Sequence, residues 1–178
     1  MKKMFKKISM FMLFAALSIT AFGQKVLITS FGQSADASIL KVLFKKSKVA
    51  NDFKPLINAD GIKGYDVLVI SAGASSKGMG AAGIDPLDEL QRSKDIVKEA
   101  KAENIPIVMF HLGGEARRGK LSNQYIEVAG NAAKKIVAVK GGNYDGMLSN
   151  MASKNGGEFV EVPNMVKALP EIKADFTK

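Results

Sequence analysis

Two adjacent arginines, Arg117 and Arg118, follow the chain's only histidine, His111, in the stretch FHLGGEARRG. Guanidinium groups are planar, fork-shaped donors matched to carboxylate and phosphate, and Gly113-Gly114 lets backbone approach a ligand closely. The stretch therefore reads as an anion-binding loop. The competing reading gives one guanidinium to Glu115 or to an acidic helix residue. His111 is also the one imidazole base. A base needs a nucleophile and an orienting acid, for which the sequence offers only Ser75 or Ser30, and Asp36 or Asp145. No catalytic residue is assigned on that pattern. No metal site is expected, because cysteine is absent and no His/Asp/Glu spacing supplies ligands.

Two further polar groups follow apolar runs. In TSFGQSAD, Ser30, Gln33 and Ser34 are placed to orient an anion beside the free N–H groups of a following helix. Thr29, Gly32 and Ser34 partly match a flavodoxin phosphate loop, but Phe31 stands where a hydroxyl is needed and no tryptophan is present to sandwich a flavin. In AGASSKGMGAAGIDP, Ser75, Ser76 and Lys77 lie on a long polar loop, read as a lid over the site or a plain connection. Gly78 to Gly83 spells G-x-G-x-x-G, yet it neither follows its strand directly nor opens the helix that starts at Pro86. A P-loop from Gly73 fails because Met79 and Gly80 occupy the Lys and Ser/Thr positions. The serine-hydrolase elbow fails because Lys77 replaces its last glycine. No cofactor is expected.

The elements that must hold these groups are legible from periodicity. KVLITS, YDVLVISAG, IPIVMFHLGG and KKIVAVKGG are continuously apolar and rich in Val and Ile, as strands buried on both faces are. FVEVP reads as a last strand, and KVANDFKPLI as an edge strand confined there by Pro55. Between them, helical spacing puts Ile39, Val42 and Leu43 on one face, then Leu87, Leu90, Val97 and Ala100, then Tyr125, Ile126 and Ala129. Asp85-Pro86 caps one helix start, and Asn143 and Asn164 are caps for the later ones. Pro170 is expected to interrupt or kink the closing helix. Alternating strands and helices predict a single three-layer, doubly wound α/β domain with a mainly parallel sheet, flavodoxin-like or Rossmann-like. In such a fold the strand-end loops, including the fourth with Lys140, Asn143 and Asp145, gather on the carboxyl rim where ligands bind.

Met1 to Gly23 has the layout of a signal peptide: Lys2, Lys3, Lys6 and Lys7 precede an apolar run, with Ala21 and Gly23 placed for cleavage before Gln24. A retained N-terminal anchor is the alternative. The expected mature domain, residues 24–178, is exported to the periplasm or released. Removing the four leader lysines from the formal net charge of +9 leaves +5. Basic residues are scattered and only three tyrosines are present for stacking, so nucleic acid is not an expected partner.

TSFGQSADA, SSKGMGAAGID and HLGGEARRGKLS together resemble a family of small exported bacterial proteins catalogued as a domain of unknown function. The resemblance spans Thr29 to Ser122 and implies an exported α/β protein of this size, with no reaction, cofactor or ligand. The leading expectation is a non-enzymatic protein that binds a small anionic or polar solute at the rim. His111, Gly113, Gly114, Arg117 and Arg118 would hold the charge, Ser30, Gln33 and Ser34 would orient it, and Ser75, Ser76 and Lys77 would close over it. The alternatives are a hydrolase using a rim serine with His111, and an interaction module whose rim or sheet edge docks an envelope or transport protein.

Overall fold

A computed structural model describes residues 23–177, so nearly all of the expected signal peptide lies outside the described residues. Six strands form one sheet: β1 (Val26–Phe31), β2 (Asn51–Phe53), β3 (Val67–Ala72), β4 (Ile107–His111), β5 (Lys135–Val139) and β6 (Glu158–Val162). The order is β2-β1-β3-β4-β5-β6 and every neighbouring pair is parallel. The four runs read as buried strands are the four central strands, and β2 takes the edge that Pro55 required.

Side chains alternate across the sheet and give each face its own core. Leu27, Leu68, Ile70, Met109 and Ile136 pack under α3 (Pro86–Ala102), α4 (Lys120–Gly130) and α5 (Met147–Lys154). Ile28, Val69, Phe110 and Val137 pack under α1 (Asp36–Lys46) and α6 (Leu169–Phe176). The result is the three-layer, doubly wound α/β fold, and among the described residues no helix is long and apolar enough to cross a membrane.

Caps set the helix ends. Asp85 accepts from the Leu87 N–H at 2.7 Å with Pro86 in the first turn, and Asn143 accepts from the Leu148 N–H at 2.8 Å. At the far edge Lys135 rises from β5 to Glu171 and Asp175 of α6, at 2.9 and 3.1 Å. Burial opposes its charge, but those two hydrogen-bonded carboxylates outweigh it and hold the ammonium above the usual lysine range.

Four expectations are corrected. The stretch read as a flexible loop contains a short helix, α2 (Ser76–Ala81), begun by the Ser75 hydroxyl accepting from the Gly78 N–H at 3.0 Å and pinned by buried Met79. Val42 and Leu87, placed by spacing on buried faces, are 49% and 74% exposed, because α1 packs through Leu40, Leu43 and Phe44 and α3 through Ser93, Ile96 and Val97. Pro170 sits in the first turn of α6, where a missing N–H leaves no helical hydrogen bond broken, so it starts the helix instead of kinking it.

Candidate functional site

The sheet order reverses between β1 and β3, and the crevice beyond their carboxyl ends is where folds of this kind take ligands. In this chain the base of the crevice is closed. Gly32, at φ +88°, lies so near the second loop that a Cβ would come within 2.7 Å of the Gly73 carbonyl oxygen. An isolated antiparallel bridge joins Gln33 to Ala74. Beneath it the Glu89 carboxylate, fully buried, accepts from the Gly32 N–H at 2.9 Å and the Gln33 Nε2 at 3.0 Å. Arg92, one helical turn on, donates to the same carboxylate at 2.7 and 2.8 Å, and its remaining donors reach the carbonyls of Ile57 and Ser30. Charge-assisted bonds thus join α3, the first loop and the segment after β2 in one buried network.

Above this base the expected site residues separate into two groups. Ser34, Arg117 and Asp36 converge. A Cβ on Gly73 would meet Arg117 Cβ at 3.7 Å and Ser34 Oγ at 3.8 Å, so the two side chains flank that glycine. Arg117 then lies across Gly113, where a Cβ would fall 1.9 Å from Arg117 Cγ and 2.7 Å from Asp36 Oδ2. Its Nε stands 3.8 Å from that carboxylate in an ion pair, and the side chain is 37% exposed. Asp36 Oδ2 is buried with no hydrogen-bond partner. Gly113 therefore gives close approach to the Arg117 side chain, the part the sequence reserved for a ligand.

The remaining expected residues are turned elsewhere. Gln33 spends its amide on Glu89 and the Pro55 carbonyl, at 3.0 and 3.1 Å. Ser30 is buried below the crevice with its hydroxyl unpartnered. Ser75 caps α2, and Ser76 and Lys77 are exposed on that helix's first turn. Arg118 points away from Arg117: a short 3-10 turn, Gly114–Arg117, ends between them. Its side chain, 1% exposed, binds Asp145 through both outer nitrogens at 3.1 and 2.8 Å, Asn123 Oδ1 at 3.0 Å and the Gly142 carbonyl, with Tyr144 stacked at 4.9 Å. The Arg118 hydrogen bonds hold the Asp145 carboxyl below the usual aspartate value, against a smaller opposing effect of burial. Arg118 is thus the tie between the third and fourth rim loops.

His111 is fully buried, with Nδ1 3.0 Å from the Ala72 carbonyl oxygen and Nε2 3.0 Å from that of Gly114. Both ring nitrogens face backbone carbonyls, so among the described residues no serine hydroxyl is bonded to the imidazole. Among the described residues His111 is therefore paired with no nucleophile. The arrangement left above the base is the Arg117 guanidinium ion-paired at 3.8 Å with the buried Asp36 carboxylate, beside a Ser34 hydroxyl that accepts from the Asp36 N–H at 3.3 Å. Sequence reasoning missed the Glu89–Arg92 network. The available signal was the opposite-charge pair spaced i, i+3 on an otherwise apolar helix face.

No curated protein matches the chain. Among solved structures, the psychrotrophic esterase EstA from Pseudoalteromonas sp. aligns at 10% identity over 86% of this chain and 94% of its own, with a TM-score of 0.35. AlinE4, an SGNH-hydrolase family esterase, aligns at 13% identity over 83% and 79%, with a TM-score of 0.34. The sequence itself is assigned more firmly: from residue 23 to residue 176 it fits one family model, and the chain belongs to that family, DUF6305, a domain of unknown function.

Proposed function

We infer that this is an exported, non-enzymatic α/β protein that captures a small polar solute on the carboxyl rim. Arg117 receives the anionic group, while Asp36 with Ser34 receives a neighbouring hydroxyl or ammonium. The observation that carries the reading is an ion pair short of hydrogen bonds: Asp36 Oδ2, buried without a hydrogen-bond donor, lies 3.8 Å from the Nε of Arg117, whose guanidinium makes no hydrogen bond among the described residues. A buried carboxylate oxygen normally has a partner, and a half-open arginine beside it supplies the matching charge. A small carboxylate with an adjacent hydroxyl or ammonium, such as a 2-hydroxy acid or an amino acid, satisfies both groups at once.

Thermal-shift titration with lactate, alanine, inorganic phosphate and glucose tests this on the wild type, Arg117→Ala and Asp36→Asn. The two carboxylates are expected to raise the melting temperature of the wild type. A ligand at about a hundred times its Kd adds roughly 2.7 kcal/mol. Neither variant should respond to them. A flat wild-type response to the whole panel, or an unchanged response in Arg117→Ala, would remove the proposal. Export rests on the basic and apolar leader, and N-terminal sequencing of protein recovered from the cell envelope should begin at Gln24. Recovery with Met1 intact would argue for the retained anchor instead.

A further inference from the structure

A second surface carries the chemistry of a binding site, on the opposite side of α1 from its buried face. A cleft of about 750 Å³ runs between α1 and β2, lined by Lys41, Val42, Lys45, Lys48, Val49 and Phe53 among others. Its apolar part includes Val42, the valine that helical spacing assigned to the core and that stands half exposed. Lys41 lies over the Phe53 ring at 5.0 Å. No carboxylate lines the cleft, and none of Lys41, Lys45 and Lys48 has an acidic partner within 4 Å among the described residues.

Among the described residues β2 ends the sheet, so one of its edges is unpaired. The Lys54 N–H donates inward to the Ile28 carbonyl oxygen at 3.0 Å. Along a parallel strand the backbone groups of successive residues point to opposite sides, which turns those of Asn51 and Phe53 outward. An open edge is a template for another strand, and lysines beside it are a common guard against unwanted pairing. On the cleft side this guard carries one sign only, because Asp52 of β2 pairs away from it with Lys54 and Tyr65. It repels a second copy of this basic chain and attracts an acidic one.

We propose that the cleft between α1 and β2 docks an extended acidic segment of a partner protein. The segment pairs its backbone with Asn51 and Phe53, seats an apolar side chain against Val42, Val49 and Phe53, and meets the three lysines with carboxylates. This is strand addition, in which main-chain bonds give affinity and alternate side chains give specificity. An anionic lipid matches the lysines and the apolar floor, but it has no amide groups for the outward-facing backbone of β2. The site is separate from the rim and does not depend on the solute reading.

The test uses the whole mature chain and a fluorescein-labelled, end-blocked peptide with glutamate and valine in turn at every second position and serine between, so that both face the cleft, followed by anisotropy at low salt, where screening is weakest. Saturable binding is expected, with at least a tenfold loss for Lys41→Glu/Lys45→Glu/Lys48→Glu. A peptide N-methylated at alternate amides should lose as much against the wild-type protein, and that comparison stands even if the triple variant fails to fold. The lysine–valine counterpart should not bind. The proposal is overturned if the acidic peptide does not saturate, if N-methylation leaves its affinity unchanged, or if a folded triple variant binds as the wild type does. It is equally overturned if palmitate or phosphatidylglycerol vesicles bind more tightly and displace the peptide, since the cleft would then be a lipid site.

Discussion

Replacing Glu89 by glutamine tests the claim that the crevice is held by a buried ionic network and not by loop packing alone. The two carboxylate oxygens receive four hydrogen bonds, one from Gly32, one from Gln33 and two from Arg92, at 2.7 to 3.0 Å. Glutamine keeps the shape but offers one acceptor oxygen and an NH₂ group that must face one of those donors. It also leaves the Arg92 guanidinium, only 11% exposed, without its counter-charge. Removing one partner of a buried ion pair costs about 3–5 kcal/mol. That is a large share of the roughly 5–15 kcal/mol that holds a domain folded. For a domain of this size each kcal/mol is worth about 2–4 °C, so Glu89→Gln should melt roughly 6–20 °C below the wild type. Urea unfolding followed by circular dichroism is the assay, with hydrogen exchange at the Gly32 amide as a local readout. A loss under about 1 kcal/mol with an unchanged slope and an equally protected Gly32 would refute the reasoning, because the network would then contribute no more than an exposed pair.

The two arginines should behave oppositely: Arg118→Ala, which empties a buried site bonded to Asp145, Asn123 and Gly142, should cost about 2–4 kcal/mol. Arg117→Ala, which removes a longer, partly exposed pair with Asp36, should cost no more than about 1 kcal/mol; equal losses in urea melts would show that the side chains are not partitioned as described. The pH profile should fall at both ends. Asp145 has its folded value lowered from 3.8, so its contribution is present above that pH and is lost as pH drops through the folded value. Lys135 has its folded value raised from 10.5, so its contribution is present below that pH and is lost as pH rises through the folded value. Asp145→Asn should flatten the acid limb and Lys135→Met the alkaline one, read from melting temperature against pH.

The sheet was legible because strands buried on both faces leave an unmistakable apolar run, and because Pro55 bars its strand from the interior. The rim followed from topology. What the sequence concealed were choices made between elements. Gly78 and Gly80 argue against a helix on propensity, and α2 forms because Met79 is buried and Ser75 caps the turn. Val42 fits the periodic face as well as Leu40 does, and only the angle at which α1 meets the sheet decides which one is covered. Glu89 and Gly32 are joined across 57 residues, a distance over which no local pattern operates. Arg117 and Arg118 are chemically identical neighbours, and the 3-10 turn between Gly114 and Arg117 is what sends one to the crevice and the other to Asp145.

The closed base beneath the rim has a consequence for how relatives of this chain can diverge. The residues that lock the crevice, Gly32, Gln33, Glu89 and Arg92, are a different set from Ser34, Asp36 and Arg117, of which only Arg117 reaches solvent. Under the proposed solute reading, substitution of Arg117 changes what is bound without touching the lock, while substitutions in the lock threaten the whole domain.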